Sequence, residues 1–548
     1  MENNCATTTK GHGVSSDKNL NNPSRNMKRK GSDLPPASRK IARHSPSLGT
    51  EKPRLPPKTM AYPDGGLRIT RTPGRCKEKN CIGLGDIIDK DHLVSACLFA
   101  FYIAEEEFFP YLPISNGSTD AVPIYIGRDV NNEPLLESAA NRAGISLGEG
   151  KVTKKTLEVL RPHLEALHQT ATTHPSPGRS SSNTTTIKNN LHPFYAWSTG
   201  SSHSKILLLV YPTFLRIVIT SCNLMDTDTV LGDNHWYLHD VPQRTAGRVD
   251  RAPVGFEETL LAHLEALGTP AAFLGSVRGL YDYAAVKVHL VTSHPGTFSG
   301  LKAEQHGLLR LRKVVRHLGL DLGAKPDEEV RIEVCTASVG NISARWLNGF
   351  HKCATGQQEI GVSGEDHEKE VPDIRLFYPS VSDVRNATAD AQDGASNIGC
   401  HLRPWNKAPQ AIKELFHHYR SKDTGRLFHQ KLIMAYDPRQ PDDDMPYYIY
   451  VGSANLSQSA WGAVVEDKSK KGNDATCHTK LAGVSNFECG VVIPGQLIMG
   501  LLEPGTEDWR DGVVPYEQTA AAYDLKKDKP WNDPRWVKGY RDGIDNLG

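Results

Sequence analysis

Apolar and polar positions alternate along the chain with two different periods, and this pattern predicts an α/β protein. Short runs rich in Ile, Leu and Val are typical of strands, whereas longer segments with one apolar face are typical of helices. The predicted strands lie within 193–220, 286–293 and 330–338, and the predicted helices lie at 82–110, 154–168 and 305–318. Because helices and short strands alternate throughout, we expect layers of helix and sheet.

Long polar stretches interrupt this pattern. They hold too few apolar residues to form a core, so we expect a disordered N-terminal tail and several surface insertions. The tail is 1–60, and the expected surface segments are 169–190, 354–372, 383–397 and 466–480.

The tail is basic although the whole chain is not. Residues 1–60 hold 12 Lys and Arg against 4 Asp and Glu, whereas the 548-residue chain has a net charge of +1. A nucleic-acid contact by the folded part therefore requires a local basic groove. The words 28-KRK-30 and 39-RKIAR-43 have the spacing of a bipartite nuclear localisation signal and predict a nuclear protein. A generic solvated basic tail is the alternative.

Composition argues against two other classes of protein. The chain has no apolar run of 18 residues, so we expect no transmembrane helix and no membrane partner. The N-terminus lacks the apolar segment of a secretory signal. Ten cysteines occur without a CxxC pair, which favours reduced intracellular thiols over disulfides or a zinc site.

An internal repeat carries the chemistry. The segment 201-SSHSKILLLVY-211 is followed by 215-LRIVITSCNLMD-226, and 427-LFHQKLIMAYD-437 is followed by 447-YYIYVGSANLSQ-458. Each copy reads His-x-Lys, an apolar run, a turn, a second apolar run and Ser-x-Asn-Leu. The shared positions are His203, Lys205 and Asn223 in the first copy and His429, Lys431 and Asn455 in the second.

Each copy predicts a β-hairpin that directs three polar side chains to one place. Residues i and i+2 of a strand face the same side, so the His and Lys of each copy project together. The Ser-x-Asn bend after the partner strand can bring the Asn amide to the same point. Two such halves facing each other would surround an anion with imidazole, ammonium and amide groups, which predicts a phosphate site rather than a metal site.

These residues resemble the phospholipase D superfamily, whose signature is His-x-Lys followed downstream by Asn or Asp. Within it the chain is most similar to the tyrosyl-DNA phosphodiesterase family, which has Asn at that position. The phrases 453-SANLSQSAWGA-463, 487-FECGVV-492 and 529-KPW-531 share the resemblance. It implies an α/β fold of two phospholipase D-like α-β-α sandwich domains related by pseudo-twofold symmetry, with one active site at their interface. We draw the domains at 61–295 and 296–548.

The resemblance also implies a reaction that uses no metal and no cofactor. His203 is the expected nucleophile, and His429 is the expected general acid that later acts as base. Lys205, Lys431, Asn223 and Asn455 are expected to hold the non-bridging phosphate oxygens.

A catalytic histidine needs an acceptor for its second ring nitrogen. Glu488 matches the family's partner of the second histidine. For the first histidine the family has an amide within 231-LGDNHWYLHD-240, where we expect Asn234, with Asp233 as the alternative.

Candidate DNA contacts follow from the same resemblance. The loop 336-TASVGNIS-343 is similar to a strand-binding loop whose small residues let backbone amides approach phosphates, with Ser338 and Gly340 as the expected contacts. Ser457 and Trp461 are further candidates, and packing in the core is the alternative for Trp461.

The expected function is hydrolysis of 3′-phosphotyrosyl adducts, and of other 3′-blocking adducts, left on DNA by a stalled type IB topoisomerase. The expected partner is single- or double-stranded DNA with a 3′-linked peptide or tyrosine, bound by a monomer. One alternative is another phospholipase D-type nuclease or lipid phosphodiesterase, although Asn in place of Asp disfavours a lipid enzyme. The other is a non-catalytic DNA-binding scaffold, which the intact second motif disfavours.

Overall fold

The structure is a computed structural model of the chain. It describes residues 59–115, 121–147, 152–173, 190–198, 200–245, 247, 254–319, 330–357, 371–400, 402–436, 445–467 and 479–533. Nearly all of the predicted tail, with both basic words, lies outside the described residues.

Strands make up the frame of the described chain. The strands ahead of residue 250 are β1 (Gly66–Thr70), β2 (Cys81–Ile82), β3 (Ser95–Ala100), β4 (Ile124–Arg128), β5 (Leu191–Tyr195), β6 (Ser201–Ser202), β7 (Ile206–Val210), β8 (Phe214–Thr220) and β9 (His235–Pro242). The later strands are β10 (His289–Ser293), β11 (Gly296–Ser299), β12 (Arg331–Thr336), β13 (Ser338–Val339), β14 (Ile374–Tyr378), β15 (Gly399–Cys400), β16 (Phe416–His418), β17 (Lys431–Tyr436), β18 (Tyr448–Gly452), β19 (Ala463–Glu466), β20 (Thr479–Val484) and β21 (Asn486–Pro494).

Helices fill the connections between these strands. They are α1 (Leu84–Ile87), α2 (Glu105–Phe108), α3 (Leu136–Arg142), α4 (Lys154–Thr173), α5 (Asp226–Thr229), α6 (Gly255–Ala266), α7 (Ala271–Val277), α8 (Gly307–His317), α9 (Ala344–Ala354), α10 (Val381–Arg385), α11 (Ala389–Gly394), α12 (Leu402–Lys407), α13 (Gln410–Lys413), α14 (Gln458–Trp461), α15 (Gly495–Leu501) and α16 (Arg510–Val513). Within the described ranges, no helix is long and apolar enough to span a membrane.

Two large mixed sheets have the same strand order. In the described chain the first sheet runs β2-β1-β9-β8-β7-β3-β4-β5, and the second runs β10-β21-β18-β17-β12-β14-β16. From β1 and from β10 onward, both sheets have four antiparallel pairings followed by two parallel ones. The chain therefore contains two copies of one α/β unit. Because β10 belongs to the second sheet, that unit begins ahead of the predicted boundary at residue 296.

The two sheets share a central core. Strands β8 and β9 lie against β18 and β21, and the buried side chains between the sheets form one continuous cluster. The outer face of each sheet is covered separately, by residues around β2, α1 and α2 on the first and by α8 and α9 on the second. Because both faces are buried, β7 and β8 are continuous apolar runs, interrupted in β8 by the buried Arg216, instead of alternating ones.

Most predicted helices and strands are confirmed, but the predicted helix at 82–110 and the predicted surface insertion at 383–397 are wrong. The predicted helices at 154–168 and 305–318 correspond to α4 and α8. The predicted helix at 82–110 instead contains β3 and only two short helices, because a short apolar run that is buried on both faces has no periodicity that separates strand from helix.

The predicted surface insertion at 383–397 contains α10 and α11. These helices bury Val384, Ala391 and Ala395 against the second core. The central parts of the other predicted insertions, 174–189, 358–370 and 468–478, lie outside the described residues.

A buried ion pair connects the segment between β1 and β2 with both units. The Arg75 guanidinium contacts the Asp233 carboxylate and also donates to the Pro515 carbonyl oxygen at 2.7 Å. The side chains of Arg75 and Asp233 are 2% and 0% exposed. Removal of one partner would leave the other charge buried and unpaired.

We expect Asp233→Ala to lower the free energy of unfolding by about 3–5 kcal/mol, because breaking a buried pair costs that much. Glu165→Ala is the matched control, since the Arg161–Glu165 pair is 55% and 50% exposed and exposed pairs contribute about 0.3–0.5 kcal/mol. Urea denaturation of the full chain measures both. Equal losses in the two variants would contradict a supporting role for Asp233.

Candidate functional site

Both lysines of the repeated motif are buried at the start of a strand. Lys205 directly precedes β7 and Lys431 begins β17, and these residues are 0% and 1% exposed. The Lys205 Nζ donates to the carbonyl oxygen of His203 at 2.6 Å, and the Lys431 Nζ donates to that of His429 at 2.5 Å. Each copy therefore folds its lysine back beside its own histidine.

The two histidines lie together in one pocket. The ring centroids of His203 and His429 are 6.4 Å apart and the rings are inclined at 73°. Their side chains are 12% and 7% exposed, so only a small part of each ring is accessible from solvent. The two sequence motifs, 226 residues apart, thus form a single site, as the repeat predicts.

Main-chain pairing between the two units places His203. Strand β6, just ahead of this histidine, runs parallel to β21 of the second unit, and the His203 N–H donates to the Phe487 carbonyl oxygen at 3.0 Å. The next residue, Glu488, has Oε2 2.9 Å from His203 Nδ1. The carboxylate partner of the first histidine therefore comes from the second unit, and the prediction that Glu488 serves the second histidine is wrong.

Main-chain pairing also places the second histidine, and here the second unit bonds to the first. The His429 N–H donates to the Asp233 carbonyl oxygen at 3.1 Å, and the Asp233 N–H donates to the Leu427 carbonyl oxygen at 2.9 Å. Asn234 follows Asp233 as Glu488 follows Phe487. These bonds make Asn234 the counterpart of Glu488 in the first unit.

Asn234 nevertheless contacts neither histidine. Its Oδ1 accepts from Ser221 Oγ at 2.7 Å, and its Nδ2 donates to the Asp228 carbonyl oxygen at 2.9 Å. The Asp233 side chain binds Arg75. Both predicted partners of His203 are therefore wrong. Asn234 binds Ser221 and the main chain of Asp228, and Asp233 forms the buried ion pair with Arg75.

The residue that faces His429 is Asp228 on α5. Its Oδ2 lies 2.8 Å from His429 Nδ1, which is also 3.2 Å from the carbonyl oxygen of Ser221. Sequence reasoning missed Asp228. The available signal was an acidic residue in 226-DTDT-229, directly after the first Ser-x-Asn-Leu.

The two asparagines are held in different ways. The Asn455 Oδ1 accepts from the Ser338 N–H at 3.0 Å and from Thr336 Oγ1 at 3.2 Å, which leaves its NH2 group for a ligand. The Asn223 N–H donates to Asp228 Oδ2 at 2.7 Å. Among the described residues, the buried Asn223 Oδ1 has no hydrogen-bond partner.

The candidate DNA contacts have other roles in the structure. The N–H groups of Ser338 and Gly340 bind Asn455 and Leu456, so these amides are not free for phosphate. Ser457 caps α14 by accepting from the Ala460 N–H at 3.2 Å. Trp461 is 1% exposed, so the alternative of packing in the core is confirmed and its candidate role in DNA binding is wrong.

An aromatic side chain that the sequence did not single out borders the pocket. The Phe101 ring is 5.5 Å from the His203 ring, and its centroid is 5.8 Å from Lys205 Nζ. The neighbouring Tyr102 is 43% exposed. The described residues contain no group of three or more His, Cys, Asp or Glu that could hold a metal ion.

Burial sets the protonation states of the pocket. It lowers the pKa of His203 and of His429 to about 4, although the facing Glu488 and Asp228 carboxylates act in the opposite direction. Burial also lowers the pKa of Lys205 to about 8, and it lowers the pKa of Lys431 together with the nearby Lys205 ammonium.

The carboxylates stay ionised. Burial opposes the charge of Asp228 and of Glu488, but the facing histidines and the lysine ammoniums outweigh it and hold both pKa values below their usual range. The two carboxylates therefore lie opposite the two lysines, and the four groups compensate one another while the histidines are neutral. An anion entering the pocket would disturb this balance and favour uptake of a proton by a histidine.

Comparison with known proteins agrees with the fold and the motifs. A sequence model described as tyrosyl-DNA phosphodiesterase matches residues 67–534. The chain is 23% identical over 288 residues to tyrosyl-DNA phosphodiesterase 1 of Arabidopsis thaliana, covering 50% of this chain and 45% of that protein. It is 24% identical over 363 residues to the Drosophila melanogaster protein of the same name, covering 61% and 57%.

A solved structure has the same fold. The yeast tyrosyl-DNA phosphodiesterase crystal structure aligns with a TM-score of 0.56 at 16% identity, over 86% of this chain and 100% of that one. In sequence, the chain matches about half the length of these first curated relatives.

Two copies of one α/β unit that close around paired His, Lys and Asn side chains define a phospholipase D-like protein. The family match covers most of the chain, and its motifs are the residues that meet in this pocket. The chain belongs to the tyrosyl-DNA phosphodiesterase family.

We expect the pocket to bind sulfate, a tetrahedral anion, with uptake of about one proton. The histidine pKa is about 4 without the anion, and we expect the bound negative charge to raise it. The complex then holds more protons than the free protein above this value, so affinity should fall as the pH rises above about 4. Titration calorimetry in buffers of different ionisation enthalpy measures the uptake.

The double variant His203→Gln/His429→Gln should lose this proton uptake. The exposed His92 lies in the segment between β2 and β3, and His92→Gln should keep it. Sulfate affinity that does not change with pH in the unmodified protein would contradict the charge-balance argument.

Proposed function

We propose that this chain is a DNA-repair phosphodiesterase that cleaves the bond between a DNA 3′-phosphate and a tyrosine, without metal and through a phosphohistidine. The observation that carries the proposal is the convergence of His203, Lys205, His429 and Lys431 in one buried pocket of a tyrosyl-DNA phosphodiesterase family member. Curated relatives bear the name of this activity.

In the first step the neutral His203 attacks phosphorus through Nε2. Glu488 accepts the Nδ1 proton in a hydrogen bond, so the lone pair resides on Nε2 and the positive charge that develops on the ring is stabilised. The ammonium groups of Lys205 and Lys431 neutralise the phosphoryl oxygens. As the bond from phosphorus to the phenolic oxygen breaks, the protonated His429 donates its proton to that oxygen.

In the second step His429, now neutral, takes a proton from a water molecule. The resulting hydroxide oxygen bonds to phosphorus, the phosphorus–Nε2 bond of His203 breaks, and the products are free His203 and a DNA 3′-phosphate. The position of the rings on two sides of one small pocket supports this division of roles. The assignment of nucleophile and acid follows the order of the motifs in the family.

We further propose that the substrates are 3′ adducts on single- or double-stranded DNA, such as those of a stalled type IB topoisomerase, and that the enzyme acts in the nucleus as a monomer. The aromatic border of Phe101 and Tyr102 supports a ligand with a planar part on the side of His203.

We expect the protein to release 3′-phosphate from a single-stranded oligonucleotide with a 3′-phosphotyrosine in the presence of EDTA. His203→Ala should abolish release, because the nucleophile is lost, whereas the exposed control His92→Ala should retain it. Gel electrophoresis of the labelled oligonucleotide measures the product. Absence of release together with turnover of phosphatidylcholine or unmodified DNA would overturn the proposed substrate, and DNA binding without any turnover would indicate a scaffold.

We expect His429→Arg to accumulate a covalent protein–DNA adduct. The phenolate of tyrosine can leave without an acid, although more slowly, whereas hydrolysis of the phosphohistidine requires the lost base. A denaturing gel detects the adduct as a band that His203→Ala/His429→Arg does not form. Absence of the band in a folded His429→Arg protein that still cleaves the substrate would contradict the role of His429 as base.

A further inference from the structure

We propose that Asp228 is the positioning residue of His429, and that it replaces the partner that the fold would otherwise supply at Asn234. The proposal rests on the proposed function, because it assigns how the general acid and base of that reaction is held. Under this proposal each histidine has a carboxylate partner from the opposite unit. The partner of His203 is on strand β21, and the partner of His429 is on helix α5.

The strand registers define where a partner is expected. Ser453 follows β18 and its N–H donates to the Cys489 carbonyl oxygen at 3.0 Å, as the Ser221 N–H after β8 donates to that of His235 at 3.3 Å. Glu488 and Asn234 each stand one residue ahead of these acceptors. The same position in each unit therefore borders the opposite unit's histidine.

The two side chains at this position behave differently. Glu488 Oε2 accepts a hydrogen bond from Ser453 Oγ at 2.5 Å and also contacts His203 Nδ1. Asn234 has a side chain one methylene shorter, and both ends of its amide are bonded to Ser221 and Asp228. The Asn234 side chain therefore does not contact His429. It binds the main-chain carbonyl of Asp228, and the Asp228 carboxylate contacts His429 instead.

Asp228 is held as firmly as Glu488. Its Oδ2 accepts from the Asn223 N–H at 2.7 Å, and its Oδ1 accepts from Asn397 Nδ2 of the second unit at 3.2 Å. The residue is 1% exposed. Two fixed donors leave the carboxylate one orientation, in which Oδ2 lies 2.8 Å from His429 Nδ1. The arrangement therefore directs His429 Nε2 toward the pocket.

The charge of Asp228 also has a direct effect on His429. The titratable and charged groups that face this histidine are Asp228 from α5, Lys431 beside it, and Lys205 and His203 from the first unit. Asp228 is the negative charge in contact with the ring, and both lysines oppose protonation. Without it, His429 would lose its proton at lower pH and would fail as an acid under neutral conditions.

Asp228→Asn tests the charge while keeping size and one acceptor oxygen. We expect single-turnover cleavage of the 3′-phosphotyrosyl oligonucleotide to be about 10- to 100-fold slower at pH 7. The alkaline limb of its pH profile should also move to lower pH, which a loss of packing alone would not produce. Asp226→Asn, on the same helix but exposed, is the matched control and should retain the rate and profile of the unmodified protein.

Asp228→Asn/Asn234→Glu tests the exchange of positions. Glutamate at 234 would stand where Glu488 stands in the other unit, so the alkaline limb should return toward that of the unmodified protein. A folded double variant without this return would overturn the assignment of position 234 as the replaced site. If the double variant does not fold, as judged by thermal denaturation, the profile of Asp228→Asn decides.

The outcomes separate this inference from the proposed function. An unmodified protein that does not cleave the oligonucleotide overturns the proposed function and the inference that rests on it. An active unmodified protein whose Asp228→Asn variant keeps the same alkaline limb overturns only the role of Asp228, whatever the change in rate.

Discussion

Main-chain hydrogen bonds between the two units are the constraint on which the pocket depends. The His203 N–H binds the second unit at Phe487, and the His429 N–H binds the first unit at Asp233. Backbone bonds of this kind fix the position of each Cα, whereas side chains alone would leave the rings free to move. Because each unit delivers a histidine to the other's sheet, neither unit contains a complete site.

The same exchange makes four buried charges tolerable. Lys205, Lys431, Asp228 and Glu488 are each less than 5% exposed, and isolated charges at such depth would be strongly destabilising. They compensate because they meet at the junction, with the donors of Ser453, Asn223 and Asn397 satisfying the carboxylates. The histidines with low pKa values are therefore the groups able to take up a proton when an anion binds.

The two units share a topology but differ in the side chains that surround the catalytic asparagines and histidines. The asparagine of the second unit is held by Thr336 and Ser338, whereas the first unit has Ala100 at the end of the equivalent strand β3 and places the aromatic Phe101 beside His203. The partner of the histidine likewise comes from a strand in one case and from α5 in the other. Symmetry of the backbone thus brings the catalytic groups together, and asymmetry of the side chains distinguishes the two faces of the pocket.

The α/β class, the repeat and the two His-Lys-Asn sets were predictable from the chain alone, because strand periodicity and motif spacing are local properties. It could not determine which carboxylate faces which histidine, since that depends on pairing between β6 and β21, which are almost 300 residues apart. For the same reason Asp228 was missed, Glu488 was assigned to the wrong histidine, and Asn234 was assigned to a histidine that it does not contact. The burial of Trp461 was likewise left open between a binding role and core packing. Burial and register are properties of the assembled sheets, so they follow from the packing of distant strands and not from local sequence.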